Sequence, residues 1–283
     1  MSAHPALLVP VAILLNATAG YAAFRRESVT GGGAILGAVL GSAILIAGGL
    51  LFWIMLMLFF VSSSVASRLG ASRKAELERM HEKGSRRDAV QAFANAGVAT
   101  VALIALRATG NAAFAIAAAG AFASVNADTW ASEIGVLSAH PPRSILTWRR
   151  LQRGTSGGVS LLGTAASLAG SFVIAAWFGL ALAAVAIFSA LPGPEMATDP
   201  EPFRSFVIVV IAGVVGTTID SLLGATVQAQ YVDAHGSPTE RREGENGANA
   251  RVRGLPFVTN DVVNLVSSLA AAGAAFVAAA AVA

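Results

Sequence analysis

The stretch Asn111-Ala-Ala-Phe-Ala-Ile-Ala-Ala-Ala-Gly-Ala-Phe-Ala-Ser-Val-Asn-Ala-Asp-Thr-Trp-Ala-Ser-Glu133 decides how the rest of the chain is read. It begins as an apolar run suited to hydrocarbon and ends with Asn126, Asp128, Thr129, Ser132 and Glu133. A charge near the centre of a bilayer costs several kcal/mol unless it is paired, hydrated or metal-bound. At about 100° per residue, Asn126, Thr129 and Glu133 share one helix face while Asp128 and Ser132 share another. The pattern predicts a membrane helix over 111–137 that is packed on several sides and presents polar groups at one end.

The surrounding sequence is apolar enough to house such a helix. With 55% hydrophobic and 12% charged residues over 283 positions, the chain cannot cover itself with a water-compatible surface. Spanning helices need about 20 apolar residues. Segments 6–24, 34–47, 50–68, 88–106, 159–190, 204–231 and 260–282 join 111–137 to predict an all-α, polytopic protein of about eight transmembrane segments. Together they form a single transmembrane domain over 1–283. Gly48–Gly49 separates the second and third segments, since merging them would place Arg25 and Arg26 on the wrong side. Segment 159–190 is long, so it is tilted, broken after its Gly-rich start or preceded by a re-entrant piece. No basic region precedes the first apolar run, which reads as a span and not a secretory signal.

Cysteine is absent, which excludes disulfides and thiol chemistry. His4, His81, His140 and His235 lack metal-ligand spacing, so zinc is not expected. The isoelectric point near 9.9 would suggest nucleic acid in a soluble protein. Here the basic residues lie in loops, where topology and lipid headgroups account for them. Of 19 Lys and Arg residues, all but Arg107 and Arg204 fall on one side of the eight-segment topology. The positive-inside rule makes that side cytoplasmic and both termini external, in a multi-pass inner membrane protein. Glu195, Asp199 and Glu201 fall on the opposite side.

Four polar stretches stand out: Asp88 with Gln91 and Asn95; Asn126 to Glu133; Thr217, Thr218, Asp220 and Ser221; and Asn260 and Asp261 with Asn264, Ser267 and Ser268. All lie at, or within about three turns of, the cytoplasmic helix ends. Ser62–Ser64, Ser67 and the segment Gly154-Thr-Ser-Gly-Gly-Val-Ser160 do too, so they are expected to line one cytoplasm-facing cavity. Asn, Ser and Thr can serve simply as interhelical glue, whereas intramembrane carboxylates are functional by default. Asp88 reads as a helix N-cap, and Glu133 could pair with Arg149, Arg150 or Arg153. The Gly-rich segment is either a hinge or a turn offering backbone N–H groups to an anion. Residues 73–83 mix charges at helical spacing and read as a short solvated helix. The loop 235–254 is expected either to close over a ligand or to be disordered.

Taken in order, several blocks resemble the integral membrane family that includes phytyl-phosphate kinase and transmembrane protein 19. They are Ser62–Gly70, Arg87-Asp88 with Gln91 and Asn95-Ala-Gly97, Asn126–Gly135, Gly157–Thr164, Asp220–Gln228, and Asn260-Asp261 with Asn264. The resemblance implies transfer of a nucleotide γ-phosphate, from CTP or ATP, to a polyprenyl monophosphate.

The residues agree with that chemistry. A lipid monophosphate has a second pKa near 6 by analogy with phosphoryl side chains, so it is already nucleophilic at pH 7. Its difficulty is repulsion from the donor, which Mg²⁺ and Arg or backbone donors relieve. Asp128, Asp220 and Asp261 are the expected Mg²⁺ ligands. Asp128, Asp220 and Glu133 are the expected catalytic carboxylates. Arg86, Arg87, Arg153, Gly157, Gly158 and Ser160 would bind phosphate, with Asn95, Asn126, Ser221, Asn260 and Asn264 orienting ligands. The isoprenoid tail would enter laterally from the bilayer, and the chain could form a homo-oligomer. The alternatives are a transporter or flippase for an anionic lipid or solute, and a kinase or cytidylyltransferase acting on another lipid acceptor.

Overall fold

The computed structural model describes residues 5–70, 86–189, 201–244 and 247–281. The helix expected over 73–83, together with Glu195 and Asp199, lies outside the described residues. Among the described residues seven helices carry the fold: α1 (Pro5–Arg25), α2 (Gly31–Arg68), α3 (Ala89–Thr109), α4 (Ala113–Gly135), α5 (Leu161–Ser189), α6 (Pro202–Thr226) and α7 (Asn260–Ala280). Six of them, all but α4, are long and apolar enough to cross a membrane. The chain is a helical integral membrane protein.

The expected segments 34–47 and 50–68 are the two arms of α2. A straight helix of that length would extend about 57 Å, yet Arg68 Nη2 lies 3.3 Å from Ser28 Oγ, 40 residues earlier. The chain folds back at Gly49, whose φ of +73° and ψ of −169° interrupt the helix. A side chain is strained at such a φ and glycine is not. Ser42 Oγ donates to Ala12 O at 3.2 Å and Trp53 Nε1 to Asn16 Oδ1 at 3.0 Å, so α1 is tied to both arms.

Helix α4 is the hub, packing against α2, α3, α5, α6 and α7. Every residue from Ile116 to Ala127 is buried. Lipid tails are as apolar as a side chain, so small residues and close backbone approach, with interhelical hydrogen bonds, hold such helices together. Around this Ala-rich half, Phe52, Met55, Leu103, Phe122, Ile174 and Phe178 form a packed layer. The Phe52 and Phe178 rings lie 5.8 Å apart.

The opposite end carries the α1–α2, α4–α5 and α6–α7 connections and the start of α3. Asp88 caps α3 in a reciprocal box with Gln91, as expected. Backbone bonds join Thr30 N to Arg87 O at 2.9 Å and Arg87 N to Ser28 O at 3.1 Å. Strands β1 (Arg143–Ser144) and β2 (Gly158–Val159) pair before α5, and α5 itself runs unbroken from Leu161. Residues 227–231, expected within the sixth helix, leave it. Gln230–Val232 form β3, flanked by β4 (Pro238–Thr239) and β7 (Ala250–Arg253) in an antiparallel sheet of order β4-β3-β7. Two further short strands, β5 (Glu243–Gly244) and β6 (Gly247–Ala248), pair with each other. Much of the loop expected to be a lid or disordered is therefore a sheet, tied to the bundle by Leu255 N to Val227 O and Ala229 N to Val258 O, both 2.9 Å.

Candidate functional site

At this end the helices carry Ser, Thr, Asn and Gly where the far half carries Phe and Ile, and the smaller side chains leave a cavity of about 680 Å³. Helix α4 lines it with Asp128, Thr129, Ser132 and Glu133. Asp220 and Ser221 come from α6, and Asn260, Asp261 and Asn264 from α7. The start of α3 contributes Gln91 and Asn95, with Arg87 just ahead of it. The turn from Gly154 to Ser160 closes one side.

The Asp128 and Asp220 carboxyl groups hydrogen-bond each other across the α4–α6 boundary. Ser267 Oγ of α7 donates to Asp220 Oδ2 at 3.2 Å. Two adjacent carboxylates cannot both remain ionised without a proton or a cation between them. Asp261 is buried on the cavity wall, but among the described residues no three His, Cys, Asp or Glu side chains gather into a metal cage. Of the expected Mg²⁺ ligands Asp128, Asp220 and Asp261, the first two are joined directly and all three line the same cavity.

Arg87 forms the basic counterpart. Its Nη1 donates to Ser64 Oγ at 3.1 Å, its guanidinium lies 5.7 Å from the Phe60 ring centroid, and Glu133 interacts with it electrostatically. Burial lowers its pKa, and Glu133 opposes that by favouring the charged form. Ser67 Oγ fixes Glu133 Oε1 at 2.7 Å. Of the expected seryl lining from Ser62 to Ser67, only Ser67 reaches the cavity.

Two expected residues stand elsewhere. Asn126 is fully buried, donating to Gly170 O at 2.8 Å and accepting from Ser62 Oγ at 3.0 Å, so its amide pins α4 to α5 and α2. Arg86 is exposed, donates to Val29 O at 3.2 Å and lies over the Phe24 ring. Arg153 does line the cavity, with Nη2 donating to Ala139 O at 3.0 Å. In the Gly-rich turn, the Gly158 N–H already donates to Thr155 O at 3.1 Å, and Ser160 Oγ caps Gly163 N at 3.0 Å. Gly157, at φ +79°, is pressed against Ala225, where a Cβ would collide.

Sequence reading missed Glu240. It follows β4, lines the cavity and acts electrostatically on Asp220. Ser156 Oγ donates to its Oε1 at 2.7 Å and Gln228 Nε2 at 2.8 Å. Arg253 braces the same corner, donating to Gly224 O at 2.8 Å and Ser156 O at 3.3 Å, and burial lowers its pKa. Nothing local marks a loop glutamate as inward-facing, and only the sheet turns it in.

Among the described residues the cavity is lined by five carboxyl groups, Asp128, Glu133, Asp220, Glu240 and Asp261, and by two guanidiniums, Arg87 and Arg153. An anionic ligand would be repelled unless cations accompanied it. Mg²⁺ takes hard oxygen ligands, commonly one or two carboxylates with substrate phosphates and water. The Asp128–Asp220 pair beside an open cavity fits that ion without a third protein carboxylate.

Fold and site together define a helical integral membrane protein with an acid-rich cavity at one end of its bundle. The chain belongs to the family described as integral membrane protein DUF92, which it matches over residues 14–272. The resemblance drawn from the motif blocks falls in this family. The chain is similar to Protein PGR of Arabidopsis thaliana, with 29% identity over 284 residues covering 95% of each chain. An uncharacterized membrane protein of Methanocaldococcus jannaschii is 30% identical over 142 residues, 50% of this chain and 58% of that one. No solved structure matches.

Proposed function

We propose that the protein transfers the γ-phosphate of CTP or ATP to an isoprenoid monophosphate, in a Mg²⁺-dependent reaction that yields the diphosphate. The observation that carries this reading is the carboxyl pair Asp128–Asp220 facing Arg87 and the Gly-rich turn across one cavity. Attack by one phosphate on another needs charge neutralisation and alignment more than a base. An oxygen of the lipid monophosphate forms the new bond to the γ-phosphorus. The bond from that phosphorus to the β-phosphate oxygen breaks, and the nucleoside diphosphate leaves with the electron pair.

Asp128 and Asp220 would hold Mg²⁺, which supplies neutralisation of the phosphate oxygens when bound. Arg87, oriented by Ser64 and Glu133, would grip the phosphate oxygens, so Glu133 serves the arginine and not the reacting proton. Asn95, Asn260, Asn264 and Ser221 would orient the polar ends of both substrates. The excess of basic loop residues at this end supports a cytoplasmic site, with both termini outside.

A transporter is the competing class. Transport sites sit near the bilayer midplane with access to both sides. Here the packed layer around Phe52, Phe122 and Phe178 separates the cavity from the far end, which supports the enzyme. The test is to incubate detergent-purified protein with Mg²⁺, labelled CTP or ATP and geranylgeranyl monophosphate. Labelled diphosphate is the expected product. Nucleotide-independent lipid movement in liposomes, without phosphorylation, would overturn the reading.

A further inference from the structure

Helices α5 and α6 are clasped partway along their length, and their residues nearer the site line the cavity. Ser171 Oγ of α5 donates to Val210 O of α6 at 3.0 Å. Next to it, the Phe172 and Phe206 rings meet edge to face with centroids 5.4 Å apart. One turn nearer the site, Leu168 of α5 and Val214 of α6 both line the cavity, yet they are 52% and 37% exposed on the outside of the bundle. Thr164 and Thr218, a further turn along, also line the cavity and are exposed. A residue that faces both a cavity and the exterior marks an opening in the wall. Val214 lies twelve residues, about 18 Å, inside the end of α6, at hydrocarbon depth.

The slot has a chemical gradient. Its deepest residues are Leu168 and Val214, its middle is hydroxylated by Thr164, Thr218 and Ser221, and its inner end meets Asp220. An amphiphile with one apolar chain and a compact anionic head matches that order. The head would reach the carboxyl pair through its accompanying cation while the chain passes out between the helices into lipid.

We infer that the slot between Leu168–Thr164 and Val214–Thr218 is the lateral portal through which a single isoprenyl chain leaves the site for the bilayer. Identification of the head as a monophosphate rests on the proposed function; the portal itself rests on the clasp and the exposed lining. Because the chain passes into lipid and ends in no closed pocket, the portal grips the first few carbons and does not measure total length.

The experiment uses the full chain in detergent–lipid micelles and a diazirine-bearing geranylgeranyl monophosphate as photoprobe. Labelling is expected on the 161–172 and 206–218 peptides, competed by unlabelled geranylgeranyl monophosphate. Leu168→Trp and Val214→Trp should lose the label. They should also lower the ratio of phosphate transfer to geranylgeranyl over isopentenyl monophosphate by about tenfold, the scale of one or two misplaced methylenes in an apolar site. Leu168→Ile and Val214→Ile should keep both label and ratio, which separates blockage from misfolding. Labelling of other helices, or a label displaced by phospholipid and not by the prenyl monophosphate, would overturn the portal. A competed label at the portal with no phosphate transfer to any acceptor would support the portal while the transferase reading fails.

Discussion

The two ends of the bundle use the same helices in opposite ways. In the far half, α4 offers Ala and Phe122 to a layer that includes Phe52, Met55 and Phe178, and the space is filled. In the near half, the same helix offers Asp128, Thr129, Ser132 and Glu133, and the space is open. A packed half with no polar chemistry supports a polar half that packs poorly. On the proposed function, the cost of placing these carboxylates in a membrane is met by rigidity elsewhere and by the cations that the ligands would bring.

The contrast can be broken by a double dissociation. Phe122→Ala should lower stability by about 3–5 kcal/mol, the range for truncating a buried aromatic, while activity per folded molecule persists; detergent-resistance melting measures the first and a phosphate-transfer assay the second. Asp220→Asn should cut transfer about a hundredfold or more, as removal of one transition-state charge stabiliser does, without lowering the melting temperature, because it relieves repulsion from Asp128. A folded Phe122→Ala protein with no activity, or an unfolded Asp220→Asn protein, would erase the division of labour.

Two smaller changes sharpen the boundary between the halves. Asn126→Ala leaves the Ser62 hydroxyl and the Gly170 carbonyl without their amide partner, and should cost about 1–3 kcal/mol in stability. Activity should fall only modestly, since the amide does not line the cavity; a loss as deep as that of Asp220→Asn would make Asn126 part of the site. Asp88→Ala removes the cap of α3 and should cost about 1 kcal/mol. Its readout is a small melting shift together with a weaker apparent affinity for the phosphorylated substrates, as Arg87 loses its adjoining anchor.

Much of the fold was legible because hydrocarbon thickness imposes a length on every apolar run. Gly49 was legible as a turn from charge placement, and the Ser28–Arg68 contact supplies the geometry. Asp128 and Asp220 were legible because a carboxyl inside a membrane span is costly wherever it points. Asn126 was harder. It sits two residues, about 200°, from Asp128, and an amide can serve as glue or ligand with equal chemical ease. Its partner Gly170 lies 44 residues away on another helix.

Glu240 marks the limit of such reading. A glutamate in a charged loop is solvated by default, and its entry into the cavity depends on a sheet that joins Gln230 to Arg253 and on donors from Ser156 and Gln228. Which residues must avoid lipid is a local property of polarity and helix length, so the linear chain alone located most of the helices and singled out Asp128 and Asp220 as candidates. Which polar groups meet, which are spent as braces and where the wall opens depend on distances between remote segments. Those were decided only when the helices packed.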